Sequence, residues 1–178
     1  MSKESKPDFV ILSDLEGTLR LDYAYLHKDL ADAYGTIKDN YNVKIYLITT
    51  HPSTDYTSGL ENLDQLVHGI IEPAHLENEI ILSNGIYQIS EQGLGAAEKG
   101  KYSLPFVGRE IPFVYGMLAE HFGVNVSQMI LVDDNSYNRS AAEAGNCKAV
   151  APDPKAVLAL FQDSVNPGMN KAHRPAPA

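Results

Sequence analysis

Along the chain, apolar residues cluster in short runs, and between the runs they recur every three or four positions. The runs are residues 9–13, "VKIYLITT" at 43–50, "EIILS" at 79–83, "MILVDD" at 129–134 and "CKAVA" at 147–151. Each is short and mostly rich in β-branched residues, the signature of a buried strand. Between them, "HKDLADAYGTIKDNY" sets Leu30, Ala31, Tyr34, Ile37 and Tyr41 at helical spacing, and 57–67 does the same with Leu60, Leu63 and Leu66 or Val67. Pro112 to Phe122 and a short stretch through Ala141 to Ala144 read as further helices, while Asn84-Gly85 is a turn signal. Strands alternating with helices predict an α/β fold of three layers, Rossmann-like, with a central parallel sheet of about five strands and right-handed crossovers. No internal repeat is present, so 1–163 is expected to form one domain. The segment 164–178, rich in Pro, Ala and polar residues, is expected to be a disordered tail.

Composition narrows the function classes. A chain of 178 residues with 44% hydrophobic residues can bury one substantial core. A formal net charge of −9 argues against a surface built to neutralise nucleic-acid phosphates. Cys147 is the single cysteine, which rules out an intrachain disulfide or a cysteine-based zinc site within one chain, and reads as a small buried thiol. The opening "MSKESKPD" is polar and no apolar run reaches the length of a signal or membrane segment, so a cytoplasmic protein without a membrane partner is expected.

In a parallel sheet the chemistry collects at the carboxyl ends of the strands. There the first strand ends in Asp14 and Glu16, the second in Thr49, Thr50 and His51, and the fourth in Asp133, Asp134 and Asn135, with Asn138 four residues past Asp134. Singly, such residues are common turn formers and helix caps. Brought together, the carboxylates repel one another and call for a positive charge. Mg²⁺ suits oxygen ligands of this kind and also holds water and substrate phosphate.

The same residues carry a resemblance. "VILSDLEGTL" matches the first motif of the haloacid dehalogenase superfamily phosphohydrolases, an apolar strand followed by Asp-x-Asp-x-Thr, with Glu16 in the second acidic place. "IYLITT" supplies the Ser or Thr of the second motif as Thr49, with Thr50 the alternative. "MILVDDNSYNRSAAEAGN" matches the acidic pair and small-residue helix of the fourth, closed by Gly145. The resemblance spans residues 9 to about 152 and implies a Mg²⁺-dependent phosphomonoester hydrolase that acts through an aspartyl-phosphate. It implies that Asp14 is the nucleophile and that Glu16 gives and takes the proton. Thr49 and the backbone N–H groups after Asp14, Gly17 among them, would bind phosphoryl oxygens. Asp14, the Glu16 carbonyl and Asp134 would hold the metal, with Asp133 beside them; Asp133, Asn135 and Asn138 would hold metal waters or a cation. That cation is normally a lysine at the start of the helix before the fourth strand. Here the count falls on Arg109, with Lys99 and Lys101 as substitutes. Thr50, His51 and Asn84 are further candidates for substrate binding.

Substrate choice in the superfamily comes largely from an inserted cap. Asp14 to Thr49 leaves room for a short loop and one helix, and 86–105 for a small β flap at most, so a minimal cap or none is expected. An open site suits a phosphoprotein or phosphotyrosine, or a small phosphorylated metabolite with a neighbouring subunit of a homo-oligomer as lid. Tyr23, Tyr25, Tyr56, Tyr87 and Tyr102 fall in loops near the inferred mouth. Glu16 and the missing lysine keep a second class open, a catalytically weak binding or regulatory protein of the same fold. A receiver domain carries its acidic pair after the first strand, not the fourth. Neither a Gly-x-Ser-x-Gly elbow nor a Gly-x-x-x-x-Gly-Lys loop is present.

Overall fold

A computed structural model describes residues 5–22, 24–49, 67–82, 85–90, 93–94 and 108–166. Thr50, His51 and Asn84, the substitutes Lys99 and Lys101, Tyr23, Tyr56 and Tyr102, and the expected helix at 57–66 lie outside the described residues. The strands are β1 (Phe9–Ser13), β2 (Arg20–Leu21), β3 (Tyr25–Leu26), β4 (Val43–Ile48), β5 (Glu79–Leu82), β6 (Gly85–Ser90), β7 (Gly93–Leu94), β8 (Met129–Val132) and β9 (Lys148–Val150). The helices are α1 (Lys28–Asn40), α2 (67–71), α3 (Phe113–Phe122), α4 (Ser136–Ala144) and α5 (Pro154–Val165).

The main sheet has seven strands in the order β7-β6-β5-β4-β1-β8-β9. Its five strands from β5 to β9 are mutually parallel, and they are the five that the apolar runs predict. β6 and β7 extend one edge antiparallel, because Gly85 lets the chain turn back directly after β5. Tyr87, expected near the mouth, is instead a buried residue of β6.

β1 lies between β4 and β8, with Ser13 level with Leu47 on one side and Val132 on the other. This register brings the ends of the three motif-bearing strands side by side. Buried on both faces, β1 sends Ile11 into a core with α1 and α5, and Val10 and Leu12 into a second core with α3 and α4. Both faces being apolar explains why the run shows no alternation. Truncating Leu12, fully buried, to Ala would cost about 3 kcal/mol.

Two features depart from the sequence expectations. Between β1 and α1 the chain forms the antiparallel hairpin β2–β3 rather than a plain loop. Its two-residue strands are too short to leave a hydrophobic period. At the other end, α5 runs to Val165, two residues into the segment expected to be disordered. Asp153 accepts a hydrogen bond from the Lys155 amide and Pro154 opens the helix. Phe161 then packs edge-on against Phe9 and Tyr41, at ring distances of 5.6 and 5.0 Å.

Candidate active site

Parallel pairing continues just past β1, where the Asp14 amide donates to the Val132 carbonyl at 2.9 Å. Asp14 is thereby fixed beside the loop after β8 and buried. The Thr18 hydroxyl donates to Asp14 Oδ2 at 3.3 Å and accepts from the Asp134 amide at 3.2 Å, so one side chain ties the two acidic loops together. Carboxylate oxygens of Asp14, Asp133 and Asp134 lie within 4.8 Å of one another. Asp14 and Asp133 are buried and Asp134 is exposed.

Arg109 enters this cluster from the turn before α3. Its backbone is anchored by the Tyr115 hydroxyl, which donates to the Arg109 carbonyl at 2.7 Å. Nη1 donates to Asp14 Oδ1 and to Asp133 Oδ2, the latter at 2.8 Å. Asp133 is held from three directions. Oδ2 also accepts from Asn138 Nδ2 at 3.0 Å, and Oδ1 accepts from the Asn135 amide at 2.8 Å. The Asn135 side chain caps α4 by accepting from the Tyr137 amide at 2.9 Å.

Burial penalises the charged forms of both inner carboxyls. It pushes Asp14 up to about 7, against the pull of Arg109 and with a further push from the neighbouring charge of Asp133. Asp133 is raised for the same first reason, with Arg109, the Asn135 amide and the Asn138 side chain opposing.

Glu16 stands at the edge of the cluster, its Oε1 3.3 Å from Arg20 Nη1. Thr49 is buried just past the end of β4, its amide donating to the Ile81 carbonyl at 3.0 Å. Gly17 has φ +77°, and a Cβ there would sit 2.3 Å from Asp134 Oδ2. The missing side chain leaves a cradle for that carboxylate. Two polar atoms in the site are buried with no hydrogen-bond partner among the described residues, the acceptor Glu16 Oε2 and the donor Arg109 Nε. Buried polar atoms normally find partners, so both are poised for a ligand.

The oxygen-only donor set and its spacing fit a hard divalent cation. The structure thus brings Asp14, Glu16, Gly17, Arg109, Asp133, Asp134, Asn135 and Asn138 to one end of the sheet, with Thr49 on the adjacent strand. Sequence reasoning assigned no role to Thr18 or to Arg139. Arg139 Nη1 donates to the carbonyls of Asp133 and Asp134 at 2.9 and 2.8 Å. Its position one turn into α4, able to fold back on the preceding loop, was the available signal.

No protein-family model matches the chain, and no curated protein matches it. Among solved structures it is similar to an uncharacterized protein from Corynebacterium glutamicum, at 18% identity and a TM-score of 0.53, over 88% of this chain and 94% of that one. It is also similar to a haloacid dehalogenase-like hydrolase from Bacillus subtilis, at 9% identity and a TM-score of 0.50, over 92% and 91% of the two chains. A third similar structure is Thermoplasma acidophilum 0175, at 7% identity and a TM-score of 0.52, over 88% and 98%. At such identities the likeness is one of fold, a fold shared with the haloacid dehalogenase-like hydrolase from Bacillus subtilis. Among the described residues no helix is long and apolar enough to cross a membrane.

Proposed function

We propose that the chain is a Mg²⁺-dependent phosphomonoester hydrolase that works through an aspartyl-phosphate on Asp14. The observation that carries this reading is Arg109, which bridges Asp14 and Asp133 while its buried Nε has no acceptor among the described residues. A guanidinium with a spare buried donor beside a buried carboxylate suits a phosphoryl oxygen. Fold likeness to a haloacid dehalogenase-like hydrolase supports the same reading.

In the first step an Asp14 carboxylate oxygen forms a bond to phosphorus as the bond from phosphorus to the ester oxygen breaks. The departing oxygen takes its proton from Glu16. Water then attacks phosphorus, giving its proton to Glu16, and the bond to Asp14 breaks to release inorganic phosphate. Arg109, Thr49 and the backbone N–H directly after Asp14 hold the phosphoryl oxygens, whereas the Gly17 amide is taken by the Arg20 carbonyl at 2.8 Å. Asp133, itself held by Asn138, holds Arg109 in place. Asp14, Asp134 and the Glu16 carbonyl would hold Mg²⁺, which would offset the repulsion between an anionic nucleophile and an anionic phosphate.

Between β1 and β4 the described residues hold only the β2–β3 hairpin and α1, which supports an open site. Tyr25 on β3 and Tyr137 in the first turn of α4 are large apolar side chains left exposed close in sequence to Glu16 and Asp134. Both points favour a bulky substrate such as a phosphoprotein or phosphotyrosine over a small metabolite.

The test is hydrolysis of p-nitrophenyl phosphate with and without Mg²⁺, beside Asp14→Asn and Asp134→Asn. Metal-dependent turnover lost in Asp14→Asn and sharply weakened in Asp134→Asn is expected. Full activity in Asp14→Asn would remove the nucleophile assignment. Absence of turnover on this substrate and on phosphopeptides would favour a binding protein of this fold.

A further inference from the structure

Glu16 has one more rotatable bond than an aspartate in the same place, so its carboxyl must be held if it is to act at a defined point. Residues 15–20 supply the means. The Leu15 carbonyl accepts from the Thr18 and Arg20 amides at 3.3 and 2.8 Å, and the Gly17 amide donates to the Arg20 carbonyl at 2.8 Å. This tight turn folds Arg20 back onto Glu16, and the two residues form an isolated β-bridge. Arg20 Nη1 then meets Glu16 Oε1 at 3.3 Å, with the two side chains 20% and 34% exposed. The second oxygen, Oε2, is buried and has no hydrogen-bond partner among the described residues.

We propose that Arg20 is a positioning residue for Glu16: it holds Oε1, so that Oε2 is the atom that exchanges a proton with the substrate oxygen and with water. The base of the guanidinium is also fixed from the hairpin side. Arg20 pairs with Leu26 across the hairpin. The His27 amide donates to the Leu19 carbonyl at 2.7 Å, and His27 Nδ1, which must carry the proton, donates to the Thr18 carbonyl at 3.1 Å. The hairpin is thus tied to the start of α1 through the Leu19 and Thr18 carbonyls, and Arg20 reaches Glu16 from that anchored framework. A glutamate in the second acidic place and an arginine four residues later form one unit: the longer acid gains reach, and the arginine restores its orientation.

This inference rests on Glu16 as the proton-exchanging group, and a double-variant cycle separates the two ideas. Turnover is measured with p-nitrophenyl phosphate and with an alkyl phosphate, at saturating Mg²⁺, for Glu16→Gln, Arg20→Ala and their combination. Glu16→Gln is expected to lower kcat by about 100-fold or more. Arg20→Ala is expected to lower kcat by about 10-fold with KM changed by less than about threefold, and Arg20→Lys to recover part of the loss. In the Glu16→Gln background, Arg20→Ala is expected to add no further loss, because the group it orients is already gone. Equal losses in both backgrounds, with Glu16→Gln impaired, would overturn the role of Arg20 alone. Full activity in Glu16→Gln would overturn the reading of Glu16 and this inference with it. Arg20→Gln, polar and uncharged but too short to reach as the guanidinium does, repeats the test if Arg20→Ala does not fold.

Discussion

Arg109 donates to Asp14 through Nη1, joining two residues 95 positions apart in the chain, and the same nitrogen reaches Asp133 at 2.8 Å. One largely buried cation is therefore shared by two buried carboxyls, and losing it leaves them to their mutual repulsion. Arg109→Ala is expected to lower kcat by about 100-fold to 1000-fold and to destabilise the protein at neutral pH by about 3 kcal/mol. Arg109→Lys keeps the charge without the fork and is expected to fall between the two. Added Mg²⁺ should recover part of the stability of Arg109→Ala but little of its activity. Urea titrations with and without Mg²⁺, beside steady-state kinetics, check this.

A pH dependence of stability follows from Asp14, whose carboxyl is raised from the usual 3.8 to about 7 by burial. The stability carried by its neutral form is fully present below about pH 4 and is lost as pH rises through about 7, since the folded state binds the proton more tightly than the unfolded chain. In chelator, the Tm of the wild type should therefore fall across this window. Asp14→Asn, neutral at every pH, should fall less and melt higher at pH 8, by on the order of 5 °C. Mg²⁺ should raise the wild-type Tm most at high pH, where the carboxyl is ionised, and have little effect on Asp14→Asn. A wild-type Tm in chelator that rises from pH 5 to pH 7 while that of Asp14→Asn stays flat would contradict the assignment.

The five parallel strands were legible because each is buried on both faces and so appears as an unbroken apolar run. The site was legible for a related reason. Asp14, Glu16, Asp133 and Asp134 stand directly after such runs, where an acidic residue has no packing role. What escaped was local geometry without periodicity. The β2–β3 hairpin has strands too short to show alternation, and Thr18 and Arg139 each act through two hydrogen bonds to backbone or carboxylate that no spacing rule marks. Helix α5 did carry signals, the Asp153-Pro154 start and the spacing of Val157 and Phe161, but the Pro-rich sequence beyond it masked them. Arg109 could be placed only by counting helix residues back from Phe122; its contacts with Asp14 and Asp133 support that placement, while Lys99 and Lys101 lie outside the described residues.

Arg139 offers a test of how the acidic loop is held. By donating to the carbonyls of Asp133 and Asp134 it fixes the backbone that presents both carboxylates. Arg139→Ala is expected to weaken Mg²⁺ binding by about 10-fold or more while kcat at saturating Mg²⁺ changes by less than about threefold. Isothermal titration of the metal reads the first quantity and kinetics the second. Unchanged metal affinity would show that the loop keeps its shape without the clamp.

Gly145 links a distant packing contact to the same site. Its backbone is ordinary, with φ −86°, so conformation does not require glycine there. Space does, because a Cβ would lie 2.3 Å from the carbonyl oxygen of Pro112. Pro112 caps α3, three residues beyond Arg109 in the turn that delivers the guanidinium to Asp14 and Asp133. Gly145→Ala must push that turn outward or distort the end of α4, a cost of about 1 to 3 kcal/mol. If the turn moves, kcat falls as Arg109 loses its alignment, whereas Mg²⁺ affinity, set by residues after β1 and β8, is retained. Urea midpoints should drop, and the ratio of lost kcat to lost metal binding should resemble that of Arg109→Lys rather than Asp134→Asn. A variant with reduced stability, full kcat and weakened metal binding would place the strain in α4 instead.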